Sequence, residues 1–253
     1  MTTRPKILLL GDSLTQTSFE GWSGKLADVF QRRADVVNRG YSGYNTEFYL
    51  HLDTVWNELL VNVQLAVVWF GANDAGLPDL AAHHHVPLER YRENLNTILN
   101  RLQVQFKPPR IILITPPPVH HEQRLAHQVQ RYGEKATGEL ERTLEQTRKY
   151  ALACQRVASE KKLPCLNLFD LMHSEADFGR FFHDGLHFSK KGHEFVANAL
   201  LRAIQEHFAS FAVVPDPYTS QWCNSGSHCE SLSSQGPYHD QIDHSDIGKA
   251  FPL

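Results

Sequence analysis

The sequence predicts an α/β protein in which a five-stranded parallel sheet is covered by helices on both faces. Two observations carry this: five short apolar runs bounded by turn residues, and segments of helical periodicity lying between them. A third bounds it. With 253 residues, 42% of them hydrophobic, the chain can bury one substantial core, and a single globular domain suffices.

The first run, Lys6 to Leu10, is continuously apolar and ends at Gly11, the pattern of a central strand buried on both sides. Val36 to Val37, Leu65 to Trp69, Arg110 to Thr115 and Cys165 to Leu168 repeat it. Between the third and fourth runs, Leu88, Tyr91, Leu95, Ile98, Leu99 and Leu102 fall on one helical face. A second helix is expected from about Gly138 to Lys161. A last one follows from Phe195, Val196, Ala199, Leu200, Ala203 and Ile204. The domain is expected to span residues 1–214. Residues 215–253 turn to Ser, His, Asp, Gly and Pro without apolar period, as in SQWCNSGSHCESLSSQG, and read as a polar C-terminal tail, loop-like or disordered.

A net charge of −3 with Lys and Arg scattered along the chain leaves no basic footprint, so no nucleic-acid partner is expected. Apolar stretches such as Leu65 to Ala72 fall far short of the roughly 18 residues a membrane-spanning helix needs. Ile7 to Leu10 is too short for a signal-peptide core, and cleavage beyond it would remove Ser13, so the chain reads as cytoplasmic. Cys154, Cys165, Cys223 and Cys229 have no zinc-ribbon or Cys-x-x-Cys spacing and read as reduced thiols. Homo-oligomerisation is left open by the sequence.

In an open parallel sheet, ligands bind beyond the carboxyl ends of the strands. The first three strands run into Gly11-Asp12-Ser13-Leu14, into Asn38-Arg39-Gly40-Tyr41-Ser42-Gly43, and into Gly71-Ala72-Asn73-Asp74. Asp184-Gly185-Leu186-His187 precedes the final helix. A serine hydroxyl is a weak nucleophile until a base takes its proton, and that base needs a third group to fix its tautomer. Asp184 and His187 can supply both from one turn of chain. The oxyanion that forms on the attacked carbonyl needs donors already aimed at it. Gly43, with no side chain in the way, and the Asn73 amide have those chemistries.

Taken in order, GDSLT at Gly11 to Thr15, NRGYSG ending at Gly43, GAND at Gly71 to Asp74 and DGLH at Asp184 to His187 resemble the four signature blocks of SGNH/GDSL hydrolases. The resemblance spans about residues 5 to 207. VVWFGANDA, HVPLERYRENL, IILITPPPV and FFHDGLHFSKKGHEF are similar to the isoamyl acetate-hydrolysing esterase branch. Together with the strand and helix alternation, it implies a flavodoxin-like three-layer α/β/α sandwich. It further implies a serine esterase with Ser13, Asp184 and His187 as its triad. Ser13 N–H, Gly43 N–H and the Asn73 side chain would form the oxyanion hole, with Gly40 competing with Gly43. No metal or organic cofactor is implied. The substrate would be a small-molecule ester, above all an acetate ester of a small alcohol. Lysophospholipase, thioesterase and carbohydrate deacetylase activities stay open, as does a catalytically silent scaffold. The tail has no counterpart in the family.

Other residues have plainer readings. Asp12 and Asp74 are expected to hold local turns. His83-His84-His85 and His120-His121 read as solvated loop histidines, since Leu125 stands where a His-Glu-x-x-His motif would need its second histidine. His228, between Cys223 and Cys229, fits no ordinary zinc spacing. Gly-x-Ser-x-Gly is absent, which argues against the larger lipase fold. Phe19, Trp22, Phe48 and Trp69 are candidates for an apolar pocket, with core packing as the plainer alternative.

Overall fold

The computed structural model describes residues 3–211 apart from residue 32. Five parallel strands, β1 (Lys6–Gly11), β2 (Asp35–Gly40), β3 (Val63–Trp69), β4 (Ile111–Ile114) and β5 (Cys165–Leu166), form one sheet in the order β2-β1-β3-β4-β5. The described helices are α1 (Ser13–Gln16), α2 (Trp22–Phe30), α3 (Thr46–Leu50), α4 (Asp53–Trp56), α5 (Leu88–Gln105), α6 (His121–Tyr132), α7 (Leu144–Glu160), α8 (Leu168–His173) and α9 (Lys190–His207). The expected tail over 215–253, with Cys223, His228 and Cys229, lies outside the described residues.

Because strand side chains alternate, each central strand feeds two cores. Ile7, Leu9, Leu65, Val67 and Ile112 meet Trp22, Leu26, Val29 and Phe30 of α2 and Val196, Leu200 and Ile204 of α9. Leu8, Leu10, Ala66, Val68 and Leu113 meet Tyr91, Leu95, Ile98 and Leu102 of α5 and Tyr150, Cys154 and Val157 of α7. The result is the expected α/β/α sandwich, and burying each large side chain contributes roughly 1.5–3 kcal/mol. The strand order reverses between β1 and β3. That switch point opens a crevice beyond their carboxyl ends, where Ser13 and Asn73 follow them.

Several expected boundaries move. The second long helix starts at Leu144, where the Thr143 side chain accepts from Gln146 N at 3.1 Å, whereas Gly138 has φ +75 and sits in a turn. The fifth strand stops at Leu166 because Asn167 caps α8, which makes Leu168 a helical residue. Strand β2 is longer than its apolar pair: Asn38 and Arg39 are polar, but their backbones pair with Leu9 and Leu10 of β1. Helices α2 and α6 were not anticipated: α2 packs in the core with α9, and α6 lines the cleft through Arg124, Gln128, Arg131 and Tyr132.

Candidate active site

Each block occupies a strand end or the turn before a helix. Ser13 is the first residue of α1, and the Asp12 side chain caps that helix by accepting from Leu14 N at 2.9 Å. Asn73 lies in the turn after β3. The Asp184 to His187 turn presses on the start of α6, with His120 N donating to Gly185 O at 3.0 Å. Gly185 has φ +81, and a Cβ there would lie 2.4 Å from Arg124 N, so only glycine fits.

The structure brings Ser13, Asp184 and His187 together. Ser13 Oγ lies 3.0 Å from His187 Nε2, and His187 Nδ1 lies 2.8 Å from Asp184 Oδ2. An ionised carboxylate only accepts, so Nδ1 carries the proton and Nε2 presents a lone pair to the serine hydroxyl. Asp184 is 4% exposed. Its burial raises the carboxyl pKa, but the hydrogen bond and charge of His187 and the backbone N–H groups of His187 and Leu186 outweigh that and hold it well below the usual range. Those N–H groups reach Oδ1 at 2.7 and 2.9 Å. The chain can therefore pass a proton from hydroxyl to imidazole and stabilise the imidazolium that results.

Gly43 and Asn73 line the same cavity as Ser13 and His187, a cleft of about 460 Å³. Gly43 has φ +80, and a Cβ there would approach only His84 Cε1, at 3.8 Å. Gly40 is placed differently: a Cβ on it would lie 2.2 Å from Gln16 N, so it seats β2 against α1 and leaves the cavity to Gly43. The Asn73 amide is oriented from both sides. Its Nδ2 donates to Tyr44 O at 2.9 Å and its Oδ1 accepts from Arg142 Nη2 at 2.9 Å.

Arg142 belongs to a set of charges that the sequence did not disclose. Its Nη1 donates to Glu141 Oε1 at 2.9 Å. Arg124 Nε donates to the same oxygen at 2.7 Å, and Arg124 Nη1 reaches Asp184 Oδ2 at 3.3 Å. Both arginines are buried. Charged residues on the polar helix α6 and in the loop before α7 read as solvent-facing in one sequence, and their partners are up to 70 positions away.

Trp22 and Trp69 take the plainer reading of core packing, with ring centroids 5.5 Å apart, whereas Phe19 and Phe48 are exposed; none of the four lines the cavity. Asp74 reaches beyond its own turn, accepting from Thr46 N at 2.9 Å and from the Thr46 hydroxyl at the start of α3. Of the two histidine clusters, His83 and His121 are exposed as expected, while His84, His85 and His120 are partly buried. His85 Nδ1 contacts Gly76 O at 2.6 Å, His121 Nε2 accepts from Leu144 N at 2.7 Å, and His120 packs on Phe178. Only His83 of the first cluster is exposed, and its ring lies on that of His84. Burial depresses His84 to about 4, helped by the positive charge of Arg142. Among the described residues, His183, Asp184 and His187 are a group whose donor atoms, within 4.8 Å of one another, could hold a metal. Asp184 and His187 already pair with each other, and the Arg124 cation occupies the same carboxylate oxygen.

The fold is that of known acyl hydrolases. The chain superposes on a lipase/acylhydrolase from Enterococcus faecalis with a TM-score of 0.61 at 25% identity, over 80% of this chain and 96% of that one. It superposes on an acetylxylan esterase from Geobacillus stearothermophilus with a TM-score of 0.57 at 20% identity, over 79% and 94%, a likeness of fold alone. Sheet, switch-point cleft and neighbours thus define the SGNH/GDSL class of hydrolases. The chain belongs to the GDSL-like lipase/acylhydrolase family, whose model matches residues 9–195, and is a carboxylic ester hydrolase. It is 36% identical over 255 residues to a GDSL esterase/lipase of Arabidopsis thaliana, covering 98% of both chains. To the isoamyl acetate-hydrolyzing esterase 1 homolog of Homo sapiens it is 38% identical over 217 residues, covering 83% of this chain and 85% of that one. Among the described residues no helix is long and apolar enough to cross a membrane.

Proposed function

We propose that the enzyme hydrolyses short-chain esters, above all acetate esters of small alcohols, through an acyl-enzyme on Ser13. The observation that carries this reading is the hydrogen-bonded line from Ser13 Oγ through His187 to Asp184, opening on a cavity shared with Gly43 and Asn73. Ser13 Oγ attacks the ester carbonyl as His187 Nε2 takes its proton. Ser13 N–H, Gly43 N–H and the second N–H of Asn73 hold the oxyanion. His187 then returns the proton to the leaving alcohol, which departs and leaves an acyl group on Ser13. Water enters, gives a proton to His187 and attacks the acyl carbon; His187 passes that proton to Ser13 Oγ as the bond to the acyl carbon breaks, releasing the acid and restoring the serine. Asp184 stays ionised throughout and orients the imidazole. The acetate preference rests on the relatives named for isoamyl acetate hydrolysis.

The cavity wall favours a second reading of the leaving group. Arg131, Lys135, Thr137 and Glu139 line it beside Tyr132 and Leu80, a surface better matched to a hydroxylated or charged alcohol than to a branched alkyl one. A carbohydrate or lysophospholipid ester fits that wall. We assign the activity to residues 1–214 and treat 215–253 as dispensable for it. The reduced thiols of Cys154 and Cys165 support a cytoplasmic location. The test is a fluorophosphonate label followed by peptide mapping, then kcat/KM for acetate, butyrate and octanoate esters of isoamyl alcohol and of a sugar. Label on Ser13 and a steep fall from acetate to octanoate support the proposal. Label elsewhere overturns the acyl-enzyme, and faster octanoate cleavage overturns the short-acyl preference.

A further inference from the structure

We propose that Arg142 is a positioning residue of this esterase, locking the Asn73 amide so that an N–H faces the reacting carbonyl and tying that amide, through Glu141 and Arg124, to Asp184. This rests on the reading of Asn73 as an oxyanion donor. Side-chain amides have a broad terminal torsion, so a donor that must be aimed before reaction needs something to stop its rotation. Arg142 grips the residue at two points. Its Nε donates to Ala72 O at 3.0 Å, in the peptide just before Asn73, and its Nη2 donates to Asn73 Oδ1 at 2.9 Å.

A guanidinium has no acceptor, so the oxygen of the amide must face it and the NH2 must face away. One of those two N–H groups is taken by Tyr44 O at 2.9 Å. The other is left for the cavity that Asn73 lines. Arg142 is itself held in place: it is 5% exposed, and Glu141 Oε1 accepts from its third arm at 2.9 Å. The same oxygen accepts from Arg124 Nε at 2.7 Å, and Arg124 Nη1 meets Asp184 Oδ2 at 3.3 Å. Charges therefore alternate in sign from Arg142 through Glu141 and Arg124 to Asp184. Each buried cation has an anion beside it, and the two ends of the catalytic apparatus share one rigid frame. A lysine could supply the charge of Arg142 but could not span Ala72 O and Asn73 Oδ1 with a planar fork.

The test is a double-mutant cycle in the full chain, with acetate-ester kinetics and circular dichroism on every variant. Asn73→Ala is expected to lower kcat by about a hundredfold, and Arg142→Lys by about tenfold or more with KM within about twofold. The double variant is expected to be no slower than Asn73→Ala alone, because Arg142 acts through the amide already removed. A merely structural role would instead multiply the two losses. Glu141→Gln repeats the cycle with a side chain of the same size and carries the test by itself if Arg142→Lys does not fold. Its loss too should fall on kcat and shrink in the Asn73→Ala background, the remainder being the part that Glu141 exerts on Asp184 through Arg124. Multiplicative losses, or a rise in KM that matches the fall in kcat/KM, would overturn the role of Arg142 while leaving Asn73 as donor. An unchanged kcat in Asn73→Ala would overturn the oxyanion reading itself, and this proposal with it.

Discussion

Burial sets the protonation of the carboxyls beneath the site. Asp12 is pushed up to about 7, first by burial and then by the neighbouring charge of Asp74, while Leu14 N–H, His187 and Arg142 pull the other way. Asp74 is pushed up to about 6 by burial, moderated by its bonds from Thr46. A carboxyl whose folded pKa lies above its unfolded value of about 4 binds more protons in the folded state, so stability is lost as pH rises between the two values. For Asp74 that window is about 4 to 6, and for Asp12 about 4 to 7. His84, depressed to about 4, works in the opposite direction below the usual histidine range, so the informative comparison is variant against parent. Asp74→Asn keeps an acceptor for Thr46 and should flatten the fall of urea stability between about pH 4 and pH 6; an unchanged slope there would remove Asp74 as its source. At this scale Ser13, Gly43, Asn73, Asp184 and His187, which the structure brings together, stood in contiguous blocks after strands or before the last helix and so were legible as candidates. The sequence did not disclose Arg124, Glu141 and Arg142, whose roles exist only through partners distant in the chain. Nor did it place Asp74 on Thr46, 28 residues earlier.

The central strands are the most constrained elements, because both faces of each are covered and a change of one side chain is felt in a core. Leu9 on β1 is fully buried between α2 and α9, two residues before the turn that presents Ser13. Leu9→Ala should cost about 2–5 kcal/mol in urea unfolding, from lost transfer energy and the cavity left behind. A cost below about 1 kcal/mol would mean that this part of the core is not packed as described. The strands were legible as apolar runs, and α5, α7 and α9 as periodic faces. Their ends were not, since caps such as Thr143 and Asn167 decide them. Helix α6 escaped notice for a physical reason: its buried residues are the polar Arg124 and Gln128, while its apolar Val129 and Tyr132 are exposed, so polarity along it does not report which face is inside.

At the scale of the whole molecule, a parallel sheet with a single reversal of strand order creates one crevice, and chain segments 13 to 187 converge on it from four strand ends and turns. The family match over residues 9–195 covers the same span. A chain ending at residue 214 should therefore keep the acyl preference of the full protein within about twofold; a tenfold change in a folded truncation would make 215–253 part of the site. On the proposed mechanism, Ser13, activated by His187, is the nucleophile of this ester hydrolase. Steady-state hydrolysis of an activated acetate ester by the Ser13→Ala protein, folded as judged by circular dichroism, tests it most directly. Turnover near the buffer rate is expected, because triad members act as a unit and one loss approaches the loss of all. Retention of more than about one-twentieth of the parental kcat, against that expectation of near-total loss, would contradict it.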